Sequence, residues 1–376
     1  MAHPRAFPSA VAIPVRDEED HIGGCLAALL EQSEPPDHIV LLINNTTDRS
    51  ADVARATADR ARAAGASTAI HVIERQLQGA EANAGTARRL AMDAAAALVG
   101  QRGALLTTDA DGRVPPHWVA TNLAWLREGI DAVCGMAAID PLDEAMIPAH
   151  LIADDAAETR YTELLNEIDS LLDPRPYDPW PRHTHRSGAS IAVGAAVYRA
   201  VGGVPSVPHG EDRALIAALE QRDCKIRHDR GLEVIVSGRV VGRAEGGMAA
   251  TIARRMLVQD RWADDRLEAP EAAMRRARLR VEARQIWAGN YPTEGLATAL
   301  GVAPDDLGTM MRSPWFGAAW AAIEAAAPKL RRKPMAMADL PAGVRRAEQL
   351  LAKLRTGIGE GPRQSAEQAE VATWTR

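Results

Sequence analysis

Two pairs of carboxylates carry the strongest chemical signal. In Leu105-Leu106-Thr107-Thr108-Asp109-Ala110-Asp111-Gly112 an apolar run ends in two aspartates one residue apart. At a strand end the backbone can turn so that one carboxylate meets a metal and the other a ribose or a water. Hard oxygen ligands suit Mg2+ or Mn2+, which bridge to phosphate oxygens and rarely need an all-protein cage. A solvated Asp-rich turn is the plain alternative. In His209-Gly210-Glu211-Asp212-Arg213 two acids precede Ala214, Leu215, Ile216, Ala218 and Leu219 at helical spacing. That pair can simply cap a helix, a position the macrodipole favours. The glycine before it would also let a ligand or another chain come close.

A third set lies in loops. Pro14, Arg16, Asp17 and Glu18 follow one apolar run, Asn44, Asn45 and Asp48 follow a second, and Gly85 with Arg88 and Arg89 opens a helix after a third. Each is ordinary alone, but jointly they would surround one crevice. The elements needed to hold them there alternate short apolar runs with helical periodicity over the first 135 residues, the pattern of an α/β domain with a mostly parallel sheet. Strands are expected at Val11–Val15, Ile39–Ile43, Ile70–Ile73, Ala104–Thr108 and Ala132–Ala138. Helices are expected from Ile22 to Leu30, over Ser50–Ala64 and over Gly85–Leu98. Ligands of such sheets bind at the carboxyl ends of the strands. Residues 141–185 break the rhythm and read as an insertion near the site, with a helix at Ala156–Leu172 and a loop at Asp173–His185. Order returns with strands at Ser190–Val197 and Leu232–Val236 and a helix at Asp212–Gln221 between them. The expected division is therefore 1–248 as the α/β domain, 249–356 as a helical C-terminal region, and 357–376 as a disordered tail.

The 376 residues are 47% hydrophobic and 25% charged, which excludes a fibre or a wholly disordered chain. Aromatics are only 4%, so aliphatic residues must fill the core. Mean hydropathy is −0.19, and no apolar run approaches the 18 or so residues of a membrane span. No secretory signal precedes the first strand, so the cytoplasm is the expected location. A net charge of −6 gives no general attraction to nucleic acid, and peripheral contact with a membrane is left open. The cysteines Cys25, Cys134 and Cys224 are too far apart for a zinc knuckle and read as small core residues. There is no G-x-G-x-x-G after the first strand and no P-loop, which argues against a dinucleotide-binding unit and a P-loop ATPase. Arg276, Arg280 and Arg284 recur every four residues, and Lys329, Arg331, Arg332 and Lys333 form a short basic run. Both are expected to be solvated or salt-bridged.

Six segments in order resemble a family 2 glycosyltransferase of the GT-A fold, over about residues 10–262: A-I-P-V-R-D-E-E-D-H-I from Ala12, I-N-N-T-T-D-R-S-A from Ile43, G-T-A-R-R-L-A from Gly85, T-D-A-D-G from Thr108, S-G-A-S-I-A-V from Ser187 and G-E-D-R-A-L from Gly210. The resemblance implies a UDP- or GDP-sugar donor, a divalent Mg2+ or Mn2+, and an acceptor hydroxyl. It would set Pro14, Arg16 and Glu18 around the nucleotide base, with Asn45 in the place of a nucleoside-binding carboxylate. Arg88 would approach the base or diphosphate, Asp109 the ribose and Asp111 the metal, with Asp109 beside it. Asp212 would be the base and Glu211 would help hold the acceptor, alongside Ser187, Gly188 and Ala189.

Expulsion of a nucleoside diphosphate is eased by a cation, and a hydroxyl attacks well only when a carboxylate takes its proton. One base and in-line attack predict inversion. Arg239 and Arg243 are candidates for the diphosphate, and the loop Trp180–Arg186 for the acceptor pocket, with His183 and His185 read as polar loop residues rather than a metal pair. Two departures from the family are Asn44-Asn45, where two acids are frequent, and Gln259-Asp260-Arg261-Trp262, one residue short of the Q-x-x-R-W of processive members. With no membrane helix, the second favours single sugar transfer. The rival readings are a sugar-phosphate nucleotidyltransferase and a non-catalytic nucleotide-sugar-binding protein.

Overall fold

The computed structural model describes residues 7–207, 209–239, 242, 248–289 and 293–359. Seven strands form one sheet: β1 (Ser9–Val15), β2 (His38–Asn44), β3 (Ala69–Arg75), β4 (Ala104–Thr107), β5 (Ala132–Ile139), β6 (Ile191–Gly194) and β7 (Ile226–Val236). Their order is β3-β2-β1-β4-β6-β5-β7. All neighbours are parallel except β6, which runs antiparallel to both β4 and β5. The chain is thus a mostly parallel α/β domain with added C-terminal helices.

The central strands are buried on both faces, as runs such as Ala-Val-Ala-Ile require. Val11, Ile13 and Val15 pack on one side with Ile22, Leu26, Leu29 and Trp118. Ala10 and Ala12 alternate to the other side, against Ala87, Ala91 and Ala95 of the helix Ala84–Val99. Small residues on both partners let that helix lie close to the sheet, which is how a core forms with so few aromatics. Cys25 and Cys134 are buried within these layers.

Parallel β1, β2 and β4 deliver their carboxyl ends to one edge. Antiparallel β6 brings its amino end, the segment from Ser187 to Ser190, to that same edge. The expected strand Ser190–Val197 is shorter than read: it stops at Gly194 and the chain enters a helix, Ala195–Ala200. A helix Trp118–Arg127 lies between β4 and β5 where none was expected. The helix expected at Ala156–Leu172 starts a full seven residues earlier, at Ala149 directly after Pro148.

The C-terminal helices are Met248–Leu257, Pro270–Gly289, Glu294–Leu300, Pro304–Met311, Phe316–Ala326 and Leu340–Gly359. The last of these takes in the first three residues of the expected disordered tail, and 360–376 lie outside the described residues. The inserted helix Ala149–Leu172 packs with this region: Tyr161, Leu164 and Ile168 share a core with Leu267, Leu340, Ala347 and Leu351. The arginine stripe joins the same interface. Arg276 pairs with Glu268 and Glu324, Arg280 with Asp169 and Asp173, and Arg284 with Asp173. Burial works to raise the Asp173 carboxyl, yet Arg284 and Arg280 overcome it and hold it down at about 2.

One carboxylate pins the helical region to the α/β domain. Asp223 accepts the backbone N–H groups of Phe316 and Gly317, both at 2.7 Å, so it caps a helix from a distant part of the chain. Asp223 itself has φ of 54°, a conformation that aspartate tolerates. Asp223→Gly keeps that backbone and removes the cap; we expect a loss of about 2 kcal/mol of unfolding free energy. A urea midpoint equal to that of the parent chain would show that the cap contributes nothing.

Candidate active site

The loops after β1 and β2 lock into each other. Asp17 and Asn45 both adopt positive φ, 52° and 51°. Asp17 Oδ1 accepts the Thr47 N–H at 2.7 Å, Ser50 Oγ accepts the Glu18 N–H at 2.7 Å, and Asp48 Oδ2 accepts the Glu19 N–H at 3.0 Å. Glu18 is thereby held buried, where Arg239 from the loop after β7 grips its carboxylate, one nitrogen at 2.6 Å. The same guanidinium reaches Asp111 Oδ2 at 3.4 Å. Glu18, Arg239 and Asp111 therefore form one chain of charges across the strand ends, and Arg16 lines the crevice beside them.

Arg88 joins the other carboxylates. It rises from the first turns of the helix Ala84–Val99, whose start is capped by Asn83 Oδ1 accepting the Thr86 N–H at 2.8 Å. Buried, it donates through Nη2 to Asp109 Oδ1 at 2.6 Å and through Nε to Glu211 Oε1 at 3.1 Å. Its Nη1 serves Thr107 Oγ1 at 2.8 Å and the Gly188 carbonyl at 3.1 Å. Arg88 lines the crevice, where the resemblance sets it near base or diphosphate, and its four bonds to the protein tie the Asp109 turn to the Glu211 helix. A Cβ at Gly188 would lie 2.5 Å from the Arg88 guanidinium carbon, so any larger residue there must displace that side chain.

Asp212 stands one residue into the helix Glu211–Glu220. Its Oδ2 accepts the Gly188 N–H at 2.9 Å and its Oδ1 the Arg213 N–H at 2.7 Å. Burial pushes its carboxyl above the ordinary value, with Arg88 and the Gly188 N–H opposing. Ser187 and Ala189 line the crevice on either side of Gly188. His183 also lines it, but its Nδ1 accepts the His185 N–H at 3.0 Å and its Nε2 lies 3.1 Å from the Cys134 carbonyl. Those partners assign the proton to Nε2, and burial first, then His228 and His185, holds the ring neutral with a pKa of about 3. His185 is half-buried on the crevice wall.

Pro14 and Asn44 line the crevice, whereas Asn45 does not. Its amide exchanges both bonds with the Leu77 backbone, Nδ2 to the carbonyl at 2.9 Å and Oδ1 from the N–H at 3.0 Å. The Asn45 amide thus clamps two loops together. Arg243 lies outside the described residues.

The donor set at Asp109 and Asp111 suits a hard divalent cation. Burial, then Asp109, pushes the Asp111 carboxyl up to about 7 against the pull of Arg239, and Glu18 adds to the rise. Negative charge is thus crowded beyond what one guanidinium offsets. The buried hydroxyl of Thr108, the residue before Asp109, has no hydrogen-bond partner. Among the described residues no three His, Cys, Asp or Glu side chains gather into a closed cage. Magnesium-type sites need only one or two carboxylates with phosphate and water completing the shell.

Residues 10–172 match the model of glycosyl transferase family 2. That stretch, from β1 through the inserted helix, is similar to family 2 glycosyltransferases. No curated protein matches the chain. Among solved structures, the mannosyltransferase PcManGT from Pyrobaculum calidifontis in complex with GDP-Man and Mn2+ is 17% identical, with a TM-score of 0.44 over 96% of this chain and 83% of its own. S. aureus TarS 1–349 in complex with UDP is 14% identical, with a TM-score of 0.45 over 93% and 92%. The Mycobacterium tuberculosis glucosyl-3-phosphoglycerate synthase in complex with Mg2+ and UDP is 16% identical, with a TM-score of 0.38 over 67% and 79%. The family match ends at Leu172, so Gly188, Glu211, Asp212 and Arg239 of the crevice lie beyond it and are joined to it by the Arg88 and Glu18 contacts. Among the described residues no helix is long and apolar enough to cross a membrane.

Proposed function

We propose that this chain transfers a single sugar from a UDP- or GDP-sugar to an acceptor hydroxyl with inversion at the anomeric carbon. The observation that carries the reading is the pair of bonds from Arg88 to Asp109 and Glu211, which sets the donor-side aspartates and the Asp212 carboxylate around one crevice. Asp111 and Asp109 would hold Mg2+ or Mn2+, whose chemistry is to neutralise charge on the departing diphosphate. Arg239 adds a fixed positive charge on the same side. Asp212 takes the acceptor proton, and its raised pKa makes it a stronger base than an ordinary aspartate. Glu211, held by Arg88, positions the acceptor, with Ser187 and Ala189 shaping its side of the crevice. Pro14, Arg16 and Asn44 line the donor side, where the nucleoside would lie. A cytoplasmic setting agrees with the three free cysteines.

Calorimetric titration with a panel of UDP- and GDP-sugars, with Mn2+ and with chelator, tests the reading. One donor should bind with metal and lose affinity in chelator. Asp111→Asn should weaken that binding by at least about tenfold, about 1.4 kcal/mol. Equal affinity with and without Mn2+, in parent and variant, would remove the cation from the site.

A further inference from the structure

The crevice encloses about 1380 Å3. That exceeds the roughly 300–1,000 Å3 typical of a site for one small ligand, so it runs well past the donor carboxylates. Its far half passes under the inserted helix Ala149–Leu172 and carries Thr184, His185, Arg186, Arg266 and Arg332. The arginines there are of two kinds. Arg182, Arg276 and Arg280 are closed off by carboxylates: Arg182 by Asp169 at 3.0 Å, Arg276 by Glu268 at 2.8 Å and Arg280 by Asp169 and Asp173 at 2.6 Å. Arg266 is exposed, and its guanidinium donates to the Thr184 carbonyl at 3.2 Å. Among the described residues it has no carboxylate within 4.0 Å.

Its surroundings repel it. Desolvation by the crevice wall first, then Arg186 and Arg332, lowers its pKa against the pull of Asp264 and Glu220, although the side chain keeps its contact with solvent. Glu220 is already held by Arg186 at 2.7 Å. Glu268, 3.8 Å from Arg332, already carries Arg276. The Asp264 Oδ1 is engaged by the Arg266 backbone N–H at 2.9 Å. Burial lowers His185 as well, and Arg266 and Arg230 reinforce that against Asp155. An arginine with no carboxylate partner on a concave wall keeps its planar fork, which matches phosphate and carboxylate, available for an anion.

We propose that this far half holds the anionic end, a phosphomonoester or a carboxylate, of a small hydroxylated acceptor, with Arg266 as the direct ligand and Arg186 and Arg332 flanking it. The proposal rests on the glycosyl-transfer reading and names its acceptor class. Arg186 stands two residues before Gly188, whose N–H holds Asp212, so the anion site and the base belong to the same short segment. Two residues of extended chain span at most about 7 Å, which is the scale of a small molecule. A neutral sugar would leave Arg266 without a charged partner.

Inorganic phosphate titrated calorimetrically into the full chain at low salt is the test, alongside UDP and GDP with Mg2+. Phosphate should bind, and Arg266→Gln should weaken it by at least about tenfold while nucleotide affinity stays within about twofold. Arg332→Gln, at a flanking side chain 3.8 Å from Glu268, should weaken phosphate severalfold and serves as the second variant. Phosphate that fails to bind, or binds equally to both variants, overturns the proposal; the latter result would put the ion among the diphosphate contacts. Absence of nucleotide binding with phosphate binding retained would instead sink the glycosyl-transfer reading. Phosphatidylcholine vesicles with and without phosphatidylglycerol separate the two sources of such an anion. Sedimentation with the anionic vesicles, lost in Arg266→Gln, would assign a lipid headgroup, and phosphate binding without sedimentation a soluble acceptor.

Discussion

Asp212→Asn should slow sugar transfer by about 10²–10⁴-fold, the usual contribution of a positioned general base, with little change in donor affinity. The substitution is nearly isosteric, and an Asn oxygen can still accept the Gly188 N–H that Asp212 Oδ2 receives at 2.9 Å. What disappears is the capacity to take a proton. The pH profile separates this role from a merely structural one. A base acts when deprotonated, so activity is lost as pH falls through its pKa. Burial raises that pKa, and the acid limb of kcat should therefore lie above the ordinary aspartate range of about 3.9. The variant's residual rate should lack that limb. Near-normal turnover, or an unchanged acid limb, would assign the proton to another group.

The parts of this site that follow one buried strand were legible in the sequence. Asp109 and Asp111 could be placed because Ala104–Thr107 is an unbroken apolar run, and a run buried on both faces has few ways to continue except to end in solvent at the sheet edge. Arg88 could be flagged but not assigned. Its two carboxylates come from 21 and 123 residues away, and no local pattern encodes that meeting. Asn45 is a related case: residue type points to a ligand contact, while the bonds of its amide to the Leu77 backbone join two loops that no local pattern brings together.

The antiparallel course of β6 was equally invisible, because four apolar residues carry no direction. The helix Trp118–Arg127 did leave a signal in the spacing of Trp118, Val119, Leu123 and Leu126, all buried. The early start of the inserted helix left almost none, since its first turns, Ala149 to Asp155, bury only Leu151 and answer to a region that begins some hundred residues later. Arg266 is unremarkable in sequence and becomes informative only once its lack of a carboxylate can be seen.

Arg88 should be the costliest side chain of the crevice to remove. Loss of one partner from a buried ion pair leaves the other charge uncompensated and costs about 3–5 kcal/mol. Here two carboxylates, Asp109 and Glu211, would be stranded, together with the Thr107 hydroxyl and the Gly188 carbonyl. Although burial disfavours its charge, Asp109 and Glu211 more than restore it and push the guanidinium pKa up. Arg88→Ala should therefore lower the urea midpoint steeply and abolish turnover together. Arg88→Lys keeps a charge but not the planar fork that serves four partners, so it should regain part of the stability and little of the activity.

Gly188→Ala probes the same contact from the other side. Its new Cβ would lie 2.5 Å from the guanidinium carbon and must displace it. In the Arg88→Ala background that obstacle is gone, so the glycine substitution should cost less there than in the parent chain, with a coupling of about 1 kcal/mol or more. Additive losses would mean that the two residues do not press on each other, and the packing of Gly188 against Arg88 could then not be what sets the carboxylates around the crevice.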